Sequence, residues 1–154
     1  MLQPGDTPPD LTLLDHDGVA TPLASPGQWQ LIYFYPKDDT PGCTTQACDL
    51  RDGWANWSKL PCRVLGISID SVASHQKFRT KYQLPFTLLA DPDKQAVQAF
   101  GVWQEKSFMG RLGFGTVRSS FLIDPEGRIA KVYPKVKAAE HAAEVLKDLQ
   151  ALMA

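Results

Sequence analysis

Two cysteines five residues apart, Cys43 and Cys48, follow directly behind Pro36-Lys37-Asp38-Asp39-Thr40-Pro41-Gly42. Nucleophilic sulfur chemistry needs a thiolate, and a thiolate needs positive charge close by. Thr40 is a good N-cap and Pro41 suits the first helical position, so the pattern predicts a helix beginning at about residue 41. Cys43 then falls in the first turn, among backbone N–H groups without intrahelical partners and at the positive end of the macrodipole. That position favours a thiolate and makes Cys43 a candidate nucleophile. On the same helix Cys48 lies about 7.5 Å further along and about 140° round, which separates the two Cα atoms by roughly 8.6 Å. A disulfide tolerates about 7 Å at most. An intact helix keeps the thiols apart, and joining them requires its first turn or two to unwind.

The elements that must hold these residues can be read from the flanking pattern. Residues 31–35, Leu-Ile-Tyr-Phe-Tyr, form an apolar run that reads as a strand buried on both faces, and Pro36 stops it because it has no N–H to give. Ala47, Leu50, Trp54 and Trp57 recur at helical spacing with Cys43, so Cys43 points towards the protein body and Cys48 lies on a more polar face. Upstream, Asp15-His16-Asp17-Gly18 is a turn between two short strands, an N-terminal hairpin. Downstream, strands are expected over 63–69, 86–90, 117–123 and 128–133, with helices over 72–82, from Asp91 to about 100, and 138–153. Residues 107–115 are glycine-rich and read as an irregular loop or bent hairpin, and Asp124-Pro125-Glu126-Gly127 fits a type I turn. This alternation defines an α/β domain with a mixed central sheet, a single domain over residues 1–154.

The same residues carry a resemblance. Pro36, Thr40 and Cys43 reproduce the Pro-x-x-x-Thr-x-x-Cys signature of the peroxiredoxins, and the longer Tyr-Pro-Lys-Asp-Asp-Thr-Pro-Gly-Cys-Thr with Cys48 resembles the bacterioferritin comigratory protein, or peroxiredoxin Q, branch. Val64-Leu65-Gly66-Ile67-Ser68, Phe100-Gly101-Val102-Trp103 and Arg118-Ser119-Ser120-Phe121-Leu122-Ile123-Asp124 extend the likeness along nearly the whole chain. The resemblance implies a thioredoxin-like fold with the peroxiredoxin additions and a thiol peroxidase without metal or prosthetic group. In that pattern Cys43 attacks a hydroperoxide and becomes a sulfenic acid. Cys48 is then the resolving cysteine that closes an intramolecular disulfide, and thioredoxin is the reductant. Members of this branch are often monomers, which is the expectation here.

Each role has a plainer counterpart. Thr40 as an N-cap would spend its hydroxyl oxygen on the Cys43 N–H; the family pattern instead turns that hydroxyl to the sulfur and the peroxide, and this reading is preferred. Pro36 both ends a strand and, by resemblance, shields the sulfur from water. Arg118 stands in an apolar strand, where a guanidinium needs an anionic partner; spacing does not choose between it and Arg111, and the Arg-Ser-Ser-Phe-Leu-Ile-Asp match selects Arg118. Cys62 reads as a packing residue. His16, His75 and His141 read as surface positions unrelated to acids or cysteines, and Lys37, Asp38 and Asp39 as a solvated loop. Trp103, Phe108 and Met109 could be an apolar collar or core.

Composition narrows the alternatives. A net charge of −1 without charged blocks argues against nucleic acid or a charged membrane surface as main partner. No apolar run approaches the roughly 18 residues of a membrane span, and the first residues lack a signal peptide's basic start and apolar centre. The expected setting is cytoplasmic. Three cysteines are too few for a disulfide scaffold. Two rivals remain: a thioredoxin-like disulfide oxidoreductase, disfavoured without Cys-x-x-Cys, and a non-catalytic holdase or interaction domain of the same fold.

Overall fold

The apolar run around residue 31 forms the centre of a sheet. In the computed structural model, which describes residues 1–154 apart from the Phe108 side chain, it belongs to β3 (Trp29–Phe34). β3 pairs in parallel with β4 (Cys62–Ser68) and antiparallel with β8 (Ser119–Ile123). β5 (Thr87–Ala90) runs parallel beside β4, and the hairpin of β1 (Thr12–Asp15) and β2 (Ala20–Pro22) adds to its edge. β9 (Ile129–Tyr133) closes the opposite edge, giving the order β2-β1-β5-β4-β3-β8-β9. Mixed pairing of this kind needs cover on both faces, because its central strands expose no side to water.

Alternation along β3 feeds two cores. Leu31 and Tyr33 face α1 (Pro41–Asp52), α3 (Val72–Tyr82) and α5 (His141–Met153), whereas Ile32 and Phe34 face α4 (Gln95–Ala99) and the N-terminal Met1 and Leu2. Each fully buried side chain of this size contributes about 1.5–3 kcal/mol. Opposite Tyr33, β4 carries Gly66, where a Cβ would stand 2.8 Å from the Tyr33 hydroxyl; only glycine leaves the ring its place. On α5, Ala142, Val145 and Leu149 are buried as the 3.6 period requires, while Leu152 at the last turn is exposed.

Three boundaries differ from those read in the sequence. The cysteine helix stops at Gly53, and Trp54 starts a separate turn, α2 (Trp54–Trp57), so the apolar stripe spans two helices. The final helix begins at His141 rather than near 138. Of the two readings of residues 107–115, an irregular loop or a bent hairpin, the hairpin forms, and it starts earlier than expected: β6 (Trp103–Phe108) and β7 (Arg111–Thr116) pair through a two-residue turn. Met109 and Gly110 both have positive φ there (51° and 79°), the type I′ geometry that matches strand twist. Met109 is exposed, Trp103 packs on the second core, and the Phe108 side chain lies outside the described residues; Trp103 and Met109 form no collar at Cys43. Among the described residues no helix is long and apolar enough to cross a membrane.

Candidate active site

The site begins where β3 ends. Thr40 has extended backbone (φ −100°, ψ 155°), Pro41 opens α1, and Cys43 is its third residue, 2 % exposed and packed in the first core. The Thr40 hydroxyl does not cap the helix: it donates to the Lys37 carbonyl at 2.8 Å, leaving its lone pairs uncommitted to the backbone. Pro36 is half-buried ahead of it.

Arg118 comes from the two-residue link between β7 and β8 and reaches the same first turn of α1. Its Nη2 donates to Cys43 Sγ at 3.2 Å and its Nη1 to Gln46 Oε1 at 2.7 Å. Gln46 follows Cys43 by one helical turn and is fully buried, and its Nε2 has no partner among the described residues. Sequence reasoning passed over Gln46; the available signal was a polar residue one turn after a candidate nucleophile, on the side of an otherwise apolar stripe. Arg111, the competing arginine, is exposed on β7.

All three cysteines are free thiols. Cys48 is half-buried on the intact helix, and burial raises its thiol above the ordinary range, partly offset by Arg51. Cys62 opens β4 in the first core, and burial pushes its thiol up to about 12. This supports the packing role. Around α1, Arg51 Nη1 donates to the Tyr82 carbonyl at 2.8 Å, while the Tyr82 hydroxyl donates to Asp39 Oδ1 at 2.6 Å.

The histidines and the loop correct the sequence reading. His16, His75 and His141 are all buried, at 7 %, 0 % and 2 % exposure, not surface positions. His141 Nε2 lies 2.7 Å from Ser120 Oγ, and burial, with the Arg118 charge nearby, lowers its imidazole to about 4. Asp38 is buried as well, whereas Lys37 and Asp39 are exposed as expected. His75 does meet acids: its Nδ1 is 2.7 Å from Asp38 Oδ2, and Asp38, Asp70 and His75 each bring a ligand-type atom within 4.8 Å of the others. Those atoms are engaged by protein donors, among them Ser74 and Ser68.

A thiol at a helix mouth, held by a guanidinium from the segment leading into the neighbouring strand β8 of a mixed sheet, places the molecule among the thioredoxin-fold thiol oxidoreductases. Residues 4–132 match the AhpC/TSA family. The chain is 47 % identical over 150 residues to the peroxiredoxin Bcp of Escherichia coli K12, covering 97 % of this chain and 96 % of that one. It is 44 % identical over 147 residues to the peroxiredoxin Bcp of Bacillus subtilis 168, covering 95 % and 94 %. Among solved structures, the bacterioferritin comigratory protein of Xanthomonas campestris, studied for its alkyl peroxide reduction activity, superposes with a TM-score of 0.89 at 41 % identity, covering 94 % of this chain and 92 % of that one. A cysteine-to-serine variant of Xylella fastidiosa PrxQ gives 0.94 at 34 % identity over 100 % and 99 % of the two chains. The chain belongs to the AhpC/TSA family as a peroxiredoxin of the Bcp, or peroxiredoxin Q, branch. It is a peroxidase.

Proposed function

We propose that Cys43 is the peroxidatic residue and that Cys48 resolves it. The Cys43 thiolate attacks the terminal oxygen of a hydroperoxide; the O–O bond breaks, the sulfur becomes a sulfenic acid, and the departing alkoxide or hydroxide takes a proton to leave as alcohol or water. The observation that carries this reading is the 3.2 Å contact from Arg118 Nη2 to Cys43 Sγ at the N-terminus of α1, which sets two sources of positive charge at one sulfur. Thr40 offers its hydroxyl to the peroxide, and Pro36 keeps water from the sulfur.

The first turns of α1 then unwind. Cys48 sulfur attacks the Cys43 sulfenic acid, forming the disulfide and releasing water, and a thioredoxin-type dithiol reduces the disulfide while becoming oxidised itself. A disulfide that forms only in an unwound helix is strained and easily reduced, as a turnover intermediate must be. No metal or prosthetic group takes part in these steps. The chain works as a cytoplasmic monomer built as one domain over residues 1–154.

The test adds one equivalent of hydrogen peroxide to the reduced protein and maps disulfides by peptide mass. A rapid Cys43–Cys48 bond is expected. A Cys43–Cys62 or intermolecular bond would reassign resolution, and an unreactive Cys43 would overturn the site.

A further inference from the structure

The loop of residues 36–40 runs from Pro36 to Thr40, the N-cap of the helix that carries Cys43, and its middle residue is turned inward. Asp38 is 7 % exposed and His75 beneath it is 0 % exposed. His75 Nε2 lies 2.9 Å from the Leu89 carbonyl oxygen, which can only accept, so this nitrogen carries a hydrogen and donates it. His75 Nδ1 then meets Asp38 Oδ2 at 2.7 Å with a proton shared between them. The same carboxylate accepts the Ser74 hydroxyl on Oδ2 at 2.8 Å and the Tyr35 hydroxyl on Oδ1 at 2.5 Å. Its backbone N–H donates to Asp70 Oδ2 at 2.8 Å. Asp38 is thereby referenced to the end of β3 through Tyr35, the residue after that strand, and to α3 through Ser74 and His75, with His75 itself tied to β5.

Stability alone gives a weak reason for this arrangement. A buried carboxylate–imidazole pair costs desolvation, and well-packed apolar side chains of the same volume often do as well or better. What the pair provides is a fixed place for one loop residue. The loop needs it: the next residue, Asp39, is held in the left-handed region (φ 55°), unfavourable for a residue with a Cβ, and Thr40 directs its hydroxyl hydrogen back to the loop's own Lys37 carbonyl.

We propose that Asp38 and His75 are positioning residues for the peroxide step: they hold the loop so that Thr40 and Pro36 stay at Cys43, and they touch neither sulfur nor peroxide. The inference rests on Cys43 being the peroxidatic residue. Misplacement by about 1 Å costs as much as 10²-fold in an oriented reaction. Alkylation by iodoacetamide needs the thiolate but not the loop's geometry, so it reports on the sulfur alone.

The experiment measures, on the reduced full chain, the rate of Cys43 oxidation by hydrogen peroxide and its alkylation by iodoacetamide. Asp38→Ala and His75→Ala are expected to slow oxidation by about 10- to 100-fold while alkylation stays within about threefold. Asp38→Asn is expected to recover most of the rate, since its amide can accept from Tyr35 and donate to a neutral His75 Nδ1. If the alanine variants do not fold, Ser74→Ala, which deletes one donor at a half-buried position, is expected to slow oxidation severalfold with alkylation unchanged. Oxidation and alkylation falling together, or oxidation unchanged in folded variants, overturns the inference. A wild-type Cys43 that peroxide does not oxidise overturns the underlying reading instead, and the two failures are told apart by the wild-type control.

Discussion

Gly42 and Arg118 fit together without room for a methyl group: a Cβ on residue 42 would lie 3.0 Å from Arg118 Nη2, the nitrogen that donates to Cys43. The guanidinium can lie across the first turn of α1 only because that turn has no side chain at its second position. Gly42→Ala is a better helix former, by up to about 1 kcal/mol, yet it must push Nη2 aside by a few tenths of an ångström. The expected result is an unchanged or raised melting temperature with peroxide oxidation of Cys43 slowed by about fivefold, measured by thermal unfolding and rapid mixing on the same sample.

Arg118→Lys tests the bridge more directly. An ammonium is a point charge and does not span Cys43 and Gln46 as the planar fork does. Arg118→Ala removes the donor to the sulfur altogether, and losing one such preorganised donor costs about 10²-fold or more in rate. The lysine variant is expected to fall between alanine and wild type in second-order peroxide kinetics. Wild-type kinetics in Arg118→Ala would remove the guanidinium from the reaction.

Cys48→Ala separates the two halves of the cycle. Peroxide consumption in a single turnover is expected to persist, because Cys43 and Arg118 are untouched. Thioredoxin-dependent turnover is expected to slow sharply, because no internal thiol condenses with the sulfenic acid. Unchanged steady-state turnover would count against resolution by Cys48.

Cys62 should take no part. With its thiol pushed up to about 12 by burial, only about one molecule in 10⁴ carries the thiolate at pH 8. Native-state alkylation at that pH is expected to spare Cys62 while modifying Cys43. Cys62→Ser should leave the Cys43–Cys48 bond forming at the wild-type rate.

His141 makes stability depend on pH. Burial, then the Arg118 charge, lowers its imidazole from the free value of 6.5 to about 4, so the unfolded chain binds the proton more readily than the folded one. The contribution is fully present above about pH 6.5 and is lost as pH falls from there towards 4, by an amount on the order of 3 kcal/mol. Denaturant unfolding at pH 7, 5.5 and 4.5 should show this decline. His141→Gln, which can still bond Ser120 Oγ, should flatten it.

Local chemistry explains which parts were legible in the sequence. The position of Cys43 followed from Thr40 and Pro41, two residues whose preferences act within one turn. The central strand followed from an unbroken apolar run. Arg118 did not: its partner is 75 positions away, and only the motif around it distinguished it from Arg111. Asp38 and His75 were misread for the same reason, since a charged residue in a loop and a lone histidine carry no local mark of a partner 37 positions off. What α3 did mark was burial, not the partner: His75, Phe78 and Tyr82 recur at helical spacing and share one face. The β6–β7 hairpin was legible only as one of two alternatives, because its turn uses Met109 at positive φ, a residue that does not announce such a turn.

Tyr82 grips the chain on both sides of the two cysteines, Asp39 through its hydroxyl and Arg51 through its carbonyl. In the proposed cycle, where α1 melts to bring Cys43 and Cys48 together, the melted stretch would be a rope moored at both ends. A short tethered segment has few conformations to gain, so its disorder is cheap to reverse. The oxidised form should thus be a blister confined to residues 40–50, and reduction should let the helix snap back without any search by the rest of the chain.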